Sequence, residues 1–338
     1  TELTSVYNAA SAVVVPGSGT FGMEAVARQF TNGKKALVIR NGWFSYRWSQ
    51  IFEQGNIPSE EIVLKAQRVD DDPVAPSFAP HPIEDVVATI RAEKPDMVFA
   101  PHVETSAGMI LPDGYIAAVG AAAHEVGALF ALDCIASGTV WVDMQALGVD
   151  ILCSAPQKGW SGPPCAGLVM LSEQAVERMG QTQSTSFSCD LAKWHSIMGA
   201  YLNGGHAYHA TMPTDALRAF RDVVMETKAF GYSEAKMAQQ VLGSRARSLL
   251  TQRGFKSVAA DGFGAPGVTV SYTSDPTIKN GSAFAAQGMQ IAAGVPLQVD
   301  EPEGFSTFRL GLFGLDKLKN VDRTVETLET AIDAITAI

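Results

Sequence analysis

Cysteine is scarce in this sequence, and the few that occur indicate the compartment. The 338 residues include four cysteines, and no two of them form a C-x-x-C pair. All but Cys189 lie in apolar or Gly/Pro-rich surroundings, where a reduced thiol behaves as a small hydrophobic side chain. This usage suits a reducing compartment, and we predict a cytoplasmic protein.

Positive charge and long apolar runs are also scarce. The chain has 25 Lys and Arg against 35 Asp and Glu, a net charge of −10, and no basic stretch or aromatic stacking platform. Nucleic acid is therefore excluded as a partner. The sequence contains no run of about 18 uncharged apolar residues, the length needed to span a bilayer. The first residues also lack the basic-then-apolar order of a signal peptide. We predict no membrane association.

The apolar residues that are present favour an α/β fold. They make up 46% of the chain, enough for a large core. Strand-length apolar runs alternate with helical patterns over residues 83–90 and 115–123, which predicts a mainly parallel mixed sheet sandwiched by helices. The runs are Ala12–Val15, Ala36–Ile39, Met97–Ala100, Ala128–Leu132, Ile151–Cys153 and Leu168–Leu171.

The second half of the chain has a different pattern. A long helical stretch is predicted over about 214–252, then a breaker-rich segment at 261–267, a strand over 268–272 and an amphipathic helix over 321–338. We predict a large domain over residues 1–225 and a smaller C-terminal α+β domain over 226–338.

A glycine-rich turn follows the first apolar run. The order Gly17-Ser18-Gly19-Thr20 leads from a strand into a helix, so backbone N–H groups and two hydroxyls are offered to an anion such as phosphate. The turn matches neither the dinucleotide-binding nor the Walker pattern. An ordinary tight turn explains it equally well.

Asp133 and Lys158 end two neighbouring buried runs. Side chains at the carboxyl ends of adjacent parallel strands face one crevice. Pyridoxal phosphate needs such a pair: an amine to act as nucleophile and proton carrier, and a carboxylate to keep the pyridine nitrogen protonated. Taken singly, a capping aspartate and a solvated lysine are the plainer interpretation.

Arg309 is the one cation in an apolar strand pattern over 306–314. Its planar guanidinium matches a carboxylate through two hydrogen bonds. It could hold the α-carboxylate of a substrate, and an internal ion pair is the alternative.

Together these segments resemble the class V aminotransferases of fold type I, and most of all the alanine/serine–glyoxylate and 2-aminoethylphosphonate aminotransferase group. The motifs occur in the family's order along nearly the whole chain. They are the glycine turn with Glu24, Asn41-Gly-Trp-Phe-Ser-Tyr-Arg47, His102-Val-Glu-Thr-Ser-Ala-Gly108, Asp133-Cys-Ile135, Ser154-Ala-Pro-Gln-Lys158, Tyr208-His-Ala-Thr-Met-Pro213 and Phe308-Arg-Leu-Gly-Leu-Phe-Gly314.

The resemblance implies a role for each matching residue. Lys158 would carry pyridoxal 5′-phosphate as a Schiff base, Asp133 would face its ring nitrogen, and Arg309 would hold the substrate. Phe44, next to Trp43, would stack on the ring. The other implied cofactor-binding residues are Ser18, Gly19, Thr20, Thr105, Ile135 and Gln157, with Tyr208 and Thr211 reaching into the site of a second subunit in a homodimer.

The implied reaction is transfer of an amino group from a small amino acid to a small keto acid such as glyoxylate or pyruvate. Two departures leave the substrate open: the family's Pro-Pro-Gly is Pro163-Pro164-Cys165 here, and its Gly-Gly after the aspartate segment is replaced by Gly138-Thr139-Val140-Trp141. The family's N-terminal Gly-Pro-Gly segment is also absent, and we expect the natural chain to begin earlier. A lyase or a desulfurase using Cys165 or Cys189 is the alternative within the fold. A nicotinamide dehydrogenase and a noncatalytic protein fit less well, and no metal is predicted.

Overall fold

The computed structural model describes residues 1–336 as alternating strands and helices around one large sheet. The strands are β1 (Ser11–Pro16), β2 (Lys35–Arg40), β3 (Glu60–Lys65), β4 (Gln67–Arg68), β5 (Phe78–Ala79), β6 (Met97–Pro101), β7 (Val103–Glu104), β8 (Met109–Ile110), β9 (Leu129–Asp133), β10 (Ile151–Ser154), β11 (Ala166–Leu171), β12 (Val268–Tyr272), β13 (Ala292–Ala293) and β14 (Thr307–Gly311).

The helices flank this sheet and build most of the C-terminal part. They are α1 (Glu2–Tyr7), α2 (Gly19–Phe30), α3 (Trp43–Gly55), α4 (Ile83–Glu93), α5 (Asp113–Glu125), α6 (Met144–Leu147), α7 (Glu173–Met179), α8 (Leu191–Leu202), α9 (Thr214–Phe230), α10 (Tyr232–Gln252), α11 (Pro276–Lys279), α12 (Ser282–Ala286), α13 (Leu315–Lys319) and α14 (Val321–Thr336).

The large sheet has seven strands in the order β1-β11-β10-β9-β6-β2-β3. Strands β3, β2, β6, β9 and β10 are parallel, whereas β11 pairs antiparallel with both β10 and β1. The predicted mixed, mainly parallel sheet is thus confirmed. All six predicted apolar runs lie in its strands, except that Ala128 precedes β9 by one residue.

Strand β3 was not predicted. It lies at the edge of the sheet, and none of its six residues is fully buried. An edge strand with two leading glutamates lacks the continuous apolar run that marks a strand covered on both faces.

Helices cover the sheet on both faces, as predicted. Ile90 of α4 and Ile116 of α5 pack into one apolar core, while Val26 of α2 and Trp48 of α3 pack into the other. The carboxyl ends of β6, β9 and β10 therefore meet the start of α2 at one edge of the sheet.

The long helix predicted over 214–252 is wrong in one respect, because it is two helices. Gly231 separates α9 from α10 with a φ of +105°, a conformation that side-chain-bearing residues rarely adopt. The predicted domain boundary after residue 225 falls inside α9: Val224 packs in a core of the large sheet, and Phe230 packs against the C-terminal core. The two-domain division remains a proposal.

The C-terminal part has a three-stranded sheet, β12-β14-β13. Leu242 of α10, Phe308 of β14 and Leu328 of α14 share its core. The last predicted helix is observed to Thr336, and residues 337–338 lie outside the described part. Within residues 1–336, no helix combines the length and apolarity needed to cross a membrane.

Candidate active site

A cavity of about 200 Å³ lies where the sheet edge meets α2 and α3. It brings together residues that are far apart in the sequence. Its lining consists of Ser18, Gly19, Thr20, Met23, Phe44, Arg47, Val103, Thr105, Asp133, Ile135, Ala136, Gln157 and Lys158. Apart from Tyr208 and Thr211, all the predicted cofactor-binding residues line this cavity. Of the two neighbouring aromatic residues, Phe44 lines it and Trp43 does not.

The glycine turn forms one end of the cavity. Ser18 is the N-cap of α2, but its side chain makes no capping hydrogen bond, so the first backbone N–H groups of this 12-residue helix are not satisfied by it. Gly19 packs directly on the floor, since a Cβ there would lie 2.5 Å from Ile135 Cδ1. No side chain within residues 1–336 accepts from these N–H groups, so they are available to an anion.

Asp133 ends β9 at the base of the cavity. It is 6% exposed, and its Oδ1 accepts a 2.9 Å hydrogen bond from the N–H of Ile135. Burial raises the pKa of Asp133 to about 7, and the charge of Glu104 adds to this effect. A carboxylate so placed would be stabilised by a cationic partner.

Lys158 lies in the turn after β10 and is half-buried. Burial lowers the pKa of its amine, and the positive charges of Arg309 and Arg47 lower it further. Its Nζ lies 5.7 Å from the centroid of the Phe313 ring. A larger fraction of this amine is therefore neutral and nucleophilic than for an exposed lysine.

The side chain of Gln157 has an unsatisfied polar end. Its Oε1 is buried and has no hydrogen-bond partner among the described residues. The oxygen and nitrogen of an amide can exchange places by a flip, so this group can offer either a donor or an acceptor to a bound molecule. Thr105, also buried, lines the same cavity.

Glu104 organises the cavity without lining it. It is 0% exposed and accepts hydrogen bonds of 2.6–3.1 Å from the N–H groups of Phe44, Ser45 and Ser106 and from the hydroxyls of both serines. The carboxylate thus fixes the start of α3 and the position of Phe44. Glu104 lies within the motif His102-Val-Glu-Thr-Ser-Ala-Gly108, but the sequence alone did not indicate this role.

Arg309 approaches the cavity from β14. Its guanidinium carbon lies 5.7 Å from the Phe44 ring centroid, and its Nε donates to the carbonyl of Ala293 at 2.8 Å. Within residues 1–336 it forms no ion pair, so the alternative of an internal ion pair does not apply to the described chain.

Tyr208 and Thr211 lie outside the cavity, on the segment that follows α8. Tyr208 is 75% exposed. Neighbouring His209 is held in place, with its Nε2 bonded to the carbonyl of Phe187 at 2.8 Å. The structure does not bring these two predicted residues into the cavity of their own chain.

The four cysteines are free and buried. Burial raises the pKa of both Cys165 and Cys189. A thiol that must attack a substrate needs an exposed, electropositive setting, so neither cysteine suits a desulfurase.

Comparison with known proteins gives a consistent result. Residues 2–274 match the family model described as aminotransferase class V. The 2-aminoethylphosphonate–pyruvate transaminase of Vibrio vulnificus (strain YJ016) is 29% identical over 345 aligned residues, covering 98% of this chain and 86% of the relative.

Solved structures show the same fold. The alanine–glyoxylate aminotransferase of Nostoc sp. superposes with a TM-score of 0.79 at 21% identity, covering 98% of this chain and 84% of the other. An aspartate aminotransferase of subgroup IV from Thermus thermophilus gives 0.78 at 25% identity, covering 99% and 88%.

Proposed function

The chain belongs to the class V aminotransferase family, and from this we propose that the cavity around Lys158 is its active site. The protein is a pyridoxal-phosphate-dependent transaminase of fold type I. The predicted family, fold, cofactor and reaction class are thus confirmed. The roles of individual residues are our proposal. The observation that supports them best is the convergence of Lys158 and Asp133 on one cavity beside a turn of free N–H groups.

The residues present fit the cofactor. Asp133 forms no salt bridge within residues 1–336, and a protonated pyridine nitrogen would give its carboxylate a cationic partner. Ser18, Gly19 and Thr20 offer hydrogen-bond donors to a phosphate. The unsatisfied side-chain amide of Gln157 can offer a further donor to the same phosphate. When bound, pyridoxal phosphate supplies an aldehyde carbon and a ring that withdraws electrons from the Cα of the substrate.

The chain's own residues then perform the proton and binding steps. Lys158 would hold the cofactor at its aldehyde carbon. Once the substrate's amino group has replaced the lysine there, the neutral Nζ would carry the proton from the substrate's Cα to that carbon. In the reverse half-reaction the same atom returns a proton to the Cα of the product. Asp133 holds a proton on the ring nitrogen, and Arg309 orients the α-carboxylate.

We propose small substrates by analogy with the relatives. The Vibrio relative is named for 2-aminoethylphosphonate and pyruvate, and the Nostoc protein for alanine and glyoxylate. We therefore expect a small amino compound as donor, and pyruvate or glyoxylate as acceptor. A lyase of the same fold is the remaining alternative, since the buried cysteines argue against a desulfurase.

We also propose a cytoplasmic homodimer. Four free buried thiols suit a reducing compartment. Exposed Tyr208 and nearby Thr211 would contribute to the cofactor site of the second subunit, which agrees with their position outside their own cavity.

The test is an assay of amino transfer. Purified protein loaded with pyridoxal phosphate is incubated with a panel of amino donors, with and without pyruvate or glyoxylate, and the amino acid formed from the acceptor is measured. We expect alanine or glycine only when donor and acceptor are both present. Repeated turnover of a donor without any acceptor would indicate the lyase instead. Lys158→Ala is the inactive control.

A further inference from the structure

Arg47 is a cation in the cavity that forms no ion pair within residues 1–336. It lies on α3 three residues after Phe44, a spacing that places both on one helix face, and both line the cavity. Its guanidinium carbon lies 5.3 Å from the centroid of the Phe44 ring. Most of its five N–H donors are therefore available to a ligand.

Within residues 1–336 the Arg47 side chain makes one hydrogen bond, and it is to the glycine turn. Its Nη1 donates to Thr20 Oγ1 at 3.1 Å, and Thr20 belongs to the first turn of α2, immediately after Ser18 and Gly19. The guanidinium thus lies beside the free N–H groups at the start of that helix.

Neutral hydrogen-bond donors alone would leave most of the negative charge of a phosphate without a positive partner. A phosphate monoester carries about −1.5 to −2 charges at neutral pH, while a helix N-terminus contributes the equivalent of about +0.5. Lys158 is the other cation among the lining residues, and its amine is reserved for the aldehyde. Arg309 is bonded instead to Ala293 on the C-terminal sheet.

We propose that Arg47 completes the phosphate site, pairing with the 5′-phosphate of the cofactor while Thr20 fixes the orientation of its guanidinium. Arginine suits this task because its planar fork binds phosphate oxygens in pairs. The inference rests on the proposed function, since it requires the cofactor in this cavity.

The experiment compares two ligands that differ only in the phosphate. Dissociation constants of pyridoxal phosphate and of pyridoxal are measured by equilibrium dialysis on cofactor-free wild type, Arg47→Gln and Arg47→Lys. Loss of a charged hydrogen-bond partner should weaken pyridoxal phosphate by about ten- to a hundred-fold in Arg47→Gln and leave pyridoxal unchanged. Arg47→Lys, which keeps the charge and tests whether folding is at fault, should retain part of the preference for the phosphorylated ligand.

Arg309→Gln is the matched control, because Arg309 also approaches the Phe44 ring but does not contact Thr20. It should keep the wild-type ratio of the two dissociation constants. Equal weakening of both ligands in Arg47→Gln, or no weakening of either, would overturn the inference, because Arg47 would then act through Phe44 or not at all. Wild type that binds neither ligand would instead overturn the proposed function itself.

Discussion

Two ionisable side chains of the cavity, Asp133 and Lys158, lie where their charged forms are disfavoured. Burial raises the pKa of Asp133 to about 7 and lowers that of Lys158. The lysine gains a neutral, nucleophilic amine from this, whereas the aspartate requires a cation to stay ionised. A bound ring with a protonated nitrogen would satisfy that requirement, so the cofactor-free protein has an electrostatic cost that the cofactor removes.

Replacement of Asp133 by asparagine should change how the cofactor-free protein's stability depends on pH. The pKa of Asp133 is about 7 in the folded protein against an ordinary value of 3.8. In wild type the unfolded state therefore loses its proton first, and stability falls as pH rises from about 4 to about 7. Asp133→Asn has no carboxyl group at this position, so its stability does not fall with pH for this reason. Its free energy of unfolding relative to wild type should be higher at about pH 8 than at about pH 5, by a few kcal/mol.

Urea unfolding at the two pH values measures this difference, and comparing pH values cancels any packing effect of the amide. Asp143→Asn, an exposed N-cap residue, is the control and should show no such increase. A relative stability of Asp133→Asn that does not change with pH would mean that the carboxylate ionises normally in the folded protein.

At the scale of single elements, α3 depends on one buried carboxylate. Glu104 receives hydrogen bonds from the first turn of α3 and from Ser106, and the helix dipole favours a negative charge there. Gly42 makes this approach possible, since a Cβ at that position would lie 2.8 Å from Glu104 Cδ. The helix carries both Phe44 and Arg47, so Glu104 positions two lining side chains at once.

Glu104→Gln should therefore loosen α3 as a unit. The neutral amide keeps one acceptor where several donors converge, and the free energy of unfolding should fall by about 1–3 kcal/mol. The affinities for pyridoxal phosphate and for pyridoxal should both fall, because Phe44 moves with the helix. The affinity for pyridoxal phosphate should fall further, because Arg47 moves with it as well. Urea titration and equilibrium dialysis measure these changes.

Glu53→Gln is the matched control for this prediction, because Glu53 is exposed on the same helix and should leave both quantities unchanged. If Glu104→Gln weakened only the phosphorylated ligand, Glu104 would act on the phosphate end and not on the helix.

The elements differ in how well the sequence predicts them, and burial explains why. Strands β9 and β10 are covered on both faces and are therefore continuous apolar runs, whereas the edge strand β3 has exposed glutamates. The break at Gly231 was missed because helical residues continue on both sides of it. Lys158 and Asp133 can be proposed from the sequence because one follows and the other ends a buried run, but the roles proposed for Arg47 and Glu104 depend on contacts with residues distant in the sequence.

At the scale of the whole molecule, the proposed dimer predicts complementation between two inactive subunits. Lys158→Ala lacks the catalytic amine and Tyr208→Ala lacks the exposed tyrosine. If Tyr208 acts on the second subunit's site, a mixed dimer has one site in which both residues are intact, so co-expression of the two variants should restore activity. Separately purified variants, assayed alone, are the controls, and continued inactivity of the mixed dimers would place Tyr208 in its own subunit's site or in none.

The most direct test of the account is where the cofactor attaches. Protein loaded with pyridoxal phosphate is reduced with borohydride, digested and analysed by mass spectrometry, with Lys158→Arg treated in parallel. We predict loss of visible absorption on reduction and a single phosphopyridoxyl label on Lys158, absent from the variant. A label on another lysine, or no label in wild type, would contradict the central claim that the cavity around Lys158 is the active site.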